Sequence, residues 1–147
     1  MRIRWALTPA LAVAILSLGE SLHARPPAPD YEVIVPSDRP DEAVDRVFLA
    51  DAFLKKVTTW PDGELIRPVD QTAGSPTRKS FTEDVLRRSV EAVKSYWQQR
   101  IFAGRDVPPP ELDGNDDVVA YVAAHPGAVG YVAPGTVLRS AKVLAVK

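Results

Sequence analysis

The apolar positions of the chain fall into strand-like runs and helix-like spacings, which together predict an α/β domain. Residues 31–35 have the composition of a strand and end at Pro36. Asp41 and Glu42 suit the first turn of a helix, and the apolar residues after them recur at intervals of four and three: Ala43, Val47, Ala50, Leu54 and Val57. Residues 65–69 return as a short strand. Strand, helix and strand in this order predict a βαβ unit with parallel strands.

The second half of the chain predicts further helices and strands. Ser75 is placed as an N-cap with Pro76 as the first helical residue, and Ser89 is placed to cap the next helix. That next helix has one apolar face, formed by Val90, Val93, Trp97 and Ile101. Asn115 is expected to cap another helix, and residues 128–132 and 142–146 read as strands. The glycines within residues 127–131 are expected to let a helix pack close to a strand.

The first 24 residues are interpreted as a signal peptide. Arg2 and Arg4 form a basic region, residues 5–18 are a nearly unbroken apolar run, and residues 22–24 offer a small-residue cleavage site. We therefore expect a flexible, proline-rich leader over residues 25–30 and one domain over residues 31–147, located in the periplasm or secreted. A retained N-terminal anchor is the alternative.

Composition excludes several classes of function. Without residues 1–24, Lys and Arg fall from 18 to 16 and Asp and Glu from 19 to 18, so the chain is near neutral and has no basic stripe for nucleic acid. The chain has no Cys, which excludes disulfides, thiol nucleophiles and Cys-based zinc sites. Only His125 remains for a catalytic triad, and it lies in a His-Pro-Gly turn, where a structural role or simple exposure is expected. Catalysis by paired carboxylates is the one enzymatic alternative that this composition leaves open. We expect a protein that is not an enzyme and that needs no metal or organic cofactor.

The start of the helix at Ser75 is the strongest candidate for chemistry. Free backbone N–H groups and the positive end of the helix dipole favour an anion at such a position. The side chains around it are three hydroxyls and a guanidinium, from Thr72, Ser75, Thr77 and Arg78. The alternatives are that this segment is only a good helix start and that Arg78 is a solvated first-turn residue. Asp70 is expected to end a strand rather than to orient Arg78, and Trp60 and Trp97 are expected to pack in the core or at its edge.

Several phrases of the sequence, in order, resemble short periplasmic-binding-protein-like proteins related to phosphate ABC transporter substrate-binding proteins. They are Phe53-Leu54, Trp60-Pro61-Asp62-Gly63, Pro68-Val69-Asp70, Tyr96-Trp97, Ile101-Phe102-Ala103-Gly104, Pro108-Pro109 and the segment 126–132 (PGAVGYV). The resemblance covers nearly all of residues 31–147. It implies a small three-layer type II periplasmic-binding-protein-like domain, with a short mixed sheet and flanking helices.

The resemblance also implies roles for individual residues. In the larger relatives a loop of the Asp-Gly-Ser-Gly-Thr type opens a helix and holds the anion, and residues 73–77 lie where that loop should be. Ser75 and Thr77 would then supply ligand hydroxyls, and Gly74 would allow close approach of the backbone. Two features depart from the pattern: Pro76 replaces a glycine and removes one backbone donor, and the chain is much shorter than a two-lobed binding protein.

The resulting hypothesis is an extracytoplasmic domain that binds a small oxyanion, phosphate by resemblance, for an ABC transporter. The ligand-binding residues would be Thr72, Gly74, Ser75, Thr77 and Arg78. A transporter permease, or self-association that closes the site, would supply the partner. The alternative is an interaction module of the cell envelope that keeps the fold without binding a ligand.

Overall fold

The computed structural model describes residues 26–147, and the predicted signal peptide over residues 1–24 lies outside this range. The helices are α1 (Arg46–Phe53), α2 (Pro76–Val85), α3 (Val90–Phe102) and α4 (Asn115–Ala124). The strands are β1 (Glu32–Pro36), β2 (Ala43–Val44), β3 (Arg67–Pro68), β4 (Asp70–Gln71), β5 (Glu111–Leu112), β6 (Ala128–Val132), β7 (Ala141–Val143) and β8 (Ala145–Val146). Within residues 26–147, no helix combines the length and apolarity needed to cross a membrane.

A four-stranded mixed sheet in the order β3-β6-β1-β7 forms the centre of the domain. β1 runs antiparallel to both β6 and β7, whereas β3 runs parallel to β6. Two further pairs, β2–β8 and β4–β5, are parallel. The predicted parallel βαβ unit is therefore wrong, because β6 lies between β1 and β3, and β1 and β3 run in opposite directions. β6 begins 60 residues after the end of β3, a separation that local patterns cannot indicate.

Helix α1 starts later than the apolar spacing predicts. Asp45 is its N-cap and accepts hydrogen bonds from the backbone N–H groups of Val47 and Phe48 at 2.8 and 3.2 Å. Residues 43–44 instead form β2 and pair with β8. Val47, expected on the buried stripe, is 68% exposed, and the buried positions of α1 are Leu49, Ala52 and Phe53.

The core lies on both faces of the sheet, which makes the domain a three-layer α/β structure as predicted. Alternate residues of β1 point to opposite sides, so Val33 and Val35 belong to one apolar cluster and Ile34 to the other. The first cluster contains buried residues of α1, α2 and α3, and the second contains those of α4. At the centre of the first cluster the rings of Phe81 and Tyr131 stack with their centroids 4.0 Å apart.

Gly130 allows α4 to pack closely on β6, which confirms the predicted role of the glycine-containing segment. A Cβ atom at Gly130 would lie 2.7 Å from Cγ1 of Val118 and 2.8 Å from Cγ1 of Val69. Both contacts are shorter than packed side chains tolerate. A residue without a side chain is therefore needed where the helix crosses the strand.

The predicted face of α3 is only partly buried. Ser89 caps this helix and accepts a hydrogen bond from the N–H of Ala92 at 3.1 Å. Val93 and Trp97 are buried, but Ile101 near the end of the helix is 52% exposed. Trp60 is also buried, and its indole N–H donates to the carbonyl of Gly127 at 3.0 Å, so both tryptophans pack as expected.

Candidate functional site

The start of α2 has the geometry that the sequence predicts. Ser75 is the N-cap with extended backbone angles, and Pro76 is the first helical residue. The Ser75 hydroxyl accepts a hydrogen bond from the N–H of Arg78 at 3.2 Å and donates one to Oε1 of Gln71 at 2.6 Å. This hydroxyl therefore serves the fold as both acceptor and donor.

Backbone N–H groups at this helix start remain available for a ligand. Within residues 26–147, the N–H groups of Gly74 and Thr77 make no hydrogen bond. Gly74 is exposed, and Thr72 and Thr77 are half-buried, so these groups lie at the surface. They coincide with the positive end of the α2 dipole, which favours a bound anion.

Arg78 lies beneath this surface, with its guanidinium directed into the protein. Its Nη1 donates to the backbone carbonyl of Gln71 and to Oε1 of Glu111, each at 2.6 Å. Its Nη2 lies 3.3 Å from Oδ2 of Asp70. Arg78 is only 4% exposed, so the interpretation of it as a solvated first-turn residue is wrong. The side chain of a residue near a helix start reaches back toward the N-terminus, which brings this guanidinium under the preceding loop.

One nitrogen of Arg78 is not satisfied by the protein. Nε is buried and has no hydrogen-bond partner in the described part of the chain. A buried donor without a partner costs free energy, and such groups concentrate at functional or strained positions. The guanidinium is thus held from two of its three nitrogens only.

Asp70 orients Arg78, contrary to the expectation that it only ends a strand. Its Oδ1 accepts a hydrogen bond from the hydroxyl of Tyr131, and its Oδ2 is the oxygen nearest to the Arg78 guanidinium. Burial raises the pKa of Asp70 by more than the neighbouring Arg78 charge and the Tyr131 hydroxyl lower it. Burial and the adjacent carboxylate also raise the pKa of Tyr131, which keeps its hydroxyl protonated as a donor.

Gln71 connects the loop to β6 and α4, a role that sequence reasoning missed. Its side-chain amide donates to Oδ1 of Asn115 and to the carbonyl of Tyr131, each at 3.0 Å. Its backbone N–H donates to the Tyr131 hydroxyl oxygen at 3.1 Å. Gln71 directly precedes Thr72 in the sequence, but its partners lie 44 and 60 positions away, which no local pattern indicates.

Asn115 is not the N-cap of α4, which corrects the prediction for this helix. Gly114 occupies the cap position and makes no side-chain hydrogen bond there. The side-chain oxygen of Asn115 accepts instead from Gln71 and from the N–H of Ala133, at 3.0 Å in both cases. Asn115 therefore ties the end of β6 to the candidate loop.

The remaining candidate for chemistry, His125, has a structural environment. Its Nδ1 lies 2.7 Å from the carbonyl oxygen of Tyr121, and the two rings stack with centroids 4.0 Å apart. Within residues 26–147, no group of three or more metal-ligating side chains is placed to hold a metal ion. The helix start at Ser75 therefore remains the candidate site for a small ligand.

The fold is that of known phosphate-binding proteins. A structure from Clostridium perfringens, described as a phosphate ABC transporter substrate-binding protein with bound phosphate, matches with a TM-score of 0.63 at 22% identity over 80% of this chain and 45% of its own. An ABC-type phosphate transport receptor from Vibrio cholerae matches with a TM-score of 0.61 at 19% identity, covering 80% and 46%. PstS from Borrelia burgdorferi matches with a TM-score of 0.59 at 15% identity, covering 81% and 47%.

These matches establish the fold and confirm the α/β periplasmic-binding-protein-like class that the resemblance implied. The chain spans less than half the length of each of these three structures. No family model matches the chain, and no curated protein matches it.

Proposed function

We propose that the domain binds a small oxyanion, phosphate in the first instance, at the start of α2. The observation that carries this proposal is the pair of free N–H groups of Gly74 and Thr77 at the positive end of the helix. The fold supports it, because solved structures with the same fold include one with bound phosphate.

The proposed ligand-binding residues would have different roles. The N–H and hydroxyl of Thr77 and the N–H of Gly74 would donate directly to the oxyanion, and the Thr72 hydroxyl would donate from the other side of the loop. Ser75 would act mainly as the helix cap, since its hydroxyl already donates a hydrogen bond to Oε1 of Gln71. Arg78 would place a buried positive charge beneath the anion.

A partner is part of this proposal. Ligand affinity depends on burial of the anion as well as on its hydrogen bonds. Gly74 is exposed and Thr77 is half-buried, so a second protein surface would close over the site. A transporter permease or a second copy of the chain would supply that surface, in the periplasm or outside the cell.

A specific observation favours a second candidate, an interaction module of the cell envelope that binds no anion. The carboxylates of Asp70 and Glu111 already neutralise the charge of Arg78. The Ser75 hydroxyl already donates a hydrogen bond to Gln71. Binding of a membrane protein partner that does not depend on phosphate would support this alternative.

Titration calorimetry of the protein with phosphate and with sulfate tests the proposal. Thr77→Val removes one donor hydroxyl, and Thr59→Val is the matched control, since Thr59 lies in an exposed bridge with Leu65. We expect phosphate binding that weakens in Thr77→Val and is unchanged in Thr59→Val. The absence of heat with either anion at millimolar concentration, in low and moderate salt, would refute the proposal.

A further inference from the structure

Glu111 is the solvent-facing partner of Arg78. It is the first residue of β5 and lies opposite Asp70 of β4 in the parallel pair. Its Oε1 accepts a hydrogen bond from Nη1 of Arg78 at 2.6 Å. The Glu111 side chain is 46% exposed, whereas the Arg78 side chain is 4% exposed. The Glu111 carboxylate therefore reaches the guanidinium from the solvent side.

The charges around Arg78 do not balance. Asp70 is buried, is held by the Tyr131 hydroxyl and lies 3.3 Å from Nη2 of Arg78, so it already neutralises the guanidinium from within. Glu111 adds a second carboxylate, which leaves the three charged groups with one net negative charge. A net negative cluster beside the start of α2 opposes an incoming anion.

The Glu111 side chain can leave Arg78 without unfolding its strand. The β4–β5 pair is held by backbone bonds, from Asp70 N–H to the Pro110 carbonyl at 2.8 Å and from Thr72 N–H to the Leu112 carbonyl at 3.0 Å. Neither bond involves the side chain of Glu111. A rotation of this one exposed side chain would uncover Nη1, while Asp70 keeps the guanidinium in place.

We propose that Glu111 is an internal competitor of the oxyanion: its carboxylate occupies Nη1 of Arg78 until an oxyanion at the start of α2 displaces it. The proposal rests on the proposed function and adds a residue that sets the affinity of that site. The same donor then serves the carboxylate in the free protein and an oxygen of the ligand in the complex.

Phosphate titration of the full protein and of its Glu111→Ala variant tests the competition. Asp113→Ala is the matched control, because Asp113 is an exposed carboxylate two residues away without a contact to Arg78. Removing the competing charge should tighten phosphate binding by at least about fivefold, the effect of one unit charge about 4 Å away when bulk water screens it fully. Affinity in Glu111→Ala that equals or falls below that of Asp113→Ala would overturn the proposal and leave the proposed function standing.

A second measurement separates the competition from the proposed function. An arginine-selective dicarbonyl reagent, with the modified peptides identified by mass spectrometry, reports access to the Arg78 guanidinium without any ligand. We expect Arg78 to react faster in Glu111→Ala than in Asp113→Ala, and phosphate to slow that reaction. An unchanged rate in Glu111→Ala would overturn the role of Glu111. A faster rate with no effect of phosphate, and no binding heat in any variant, would keep Glu111 as the cover of Arg78 and refute anion binding.

Discussion

The carboxylate of Asp70 lies 3.3 Å from Nη2 of Arg78, and both residues are almost completely buried. This pair joins β4 to the first turn of α2, and the Tyr131 hydroxyl extends it to β6. The loop that carries the proposed anion site is therefore built on a buried ion pair. Its geometry depends on the fold as well as on the local sequence of the loop.

Replacing Asp70 with Asn should destabilise the protein strongly. The change leaves the buried guanidinium with only the partly exposed Glu111 as a charged partner, and breaking a buried ion pair costs about 3 kcal/mol or more. Urea denaturation followed by circular dichroism measures this loss. The Asp113→Asn variant removes an exposed carboxylate and should change stability by less than about 0.5 kcal/mol. Equal stability of the two variants would show that Asp70 does not support Arg78.

Replacing Gly130 with Ala should also destabilise the protein, for a steric reason. The new methyl group would lie 2.7 and 2.8 Å from two valine side chains, so α4 or β3–β4 must shift. Overpacking of this kind costs about 1–3 kcal/mol, which a lower melting temperature would reveal.

Gly74→Ala is the matched control for this steric prediction. A Cβ atom there would meet nothing within 4 Å, so thermal stability should be preserved. The same variant should weaken phosphate binding if an anion approaches the backbone at Gly74. A melting temperature lowered as much in Gly74→Ala as in Gly130→Ala would contradict the packing argument.

The Asp84 carboxylate should make stability depend on pH in acid. Burial raises its pKa, but hydrogen bonds from the Tyr31 hydroxyl at 2.5 Å and the Arg46 guanidinium outweigh burial and lower the pKa overall. Its stabilisation is therefore fully present above the unfolded pKa of about 3.9 and is lost as the pH falls through the lower folded value. The hydrogen bond between Tyr31 and Asp84 has the opposite effect on the tyrosine: together with burial, it raises the pKa of Tyr31 to about 12.

Urea denaturation at a series of pH values below 5 measures the contribution of Asp84. In the Asp84→Asn variant the acid dependence should be shallower than in the unchanged protein. Glu83→Gln, which alters the exposed neighbouring residue, should keep the original slope. The same slope in Asp84→Asn and the unchanged protein would contradict this assignment.

Replacing Arg39 with Met should leave three carboxylates without their shared partner. The guanidinium is buried over the ring of Trp60 at 4.2 Å and lies within 3.2 Å of Asp41, Asp62 and Glu64. Because these carboxylates are partly exposed, we expect a loss of about 2 kcal/mol, below the cost for a fully buried pair. Chemical denaturation measures the loss, and Arg67→Met in the exposed position of β3 is the control. A loss no larger than that of the control would show that the cluster contributes little.

The local features of the candidate site could be predicted from the amino-acid sequence alone. Ser75 as N-cap, Pro76 at the first helical position and Ser89 as the next cap were all predicted and are confirmed. These features could be predicted because each helix cap depends only on a side-chain oxygen and on free backbone N–H groups within about four residues of it. The α/β class and the helix packing at Gly130 were readable for a similar reason, since both follow from short apolar patterns and one missing side chain.

The strand order and the direction of the Arg78 side chain depend on long-range contacts and could not be predicted. β6 separates β1 from β3, and the partners of the candidate loop, Glu111 and Tyr131, lie 33 and 60 or more positions from the residues they bind. A carboxylate next to a strand and an arginine in a first helical turn are individually typical of the surface. They become a buried pair because sheet formation brings β4, β5 and β6 together and removes water from between them, a long-range effect that no local spacing contains.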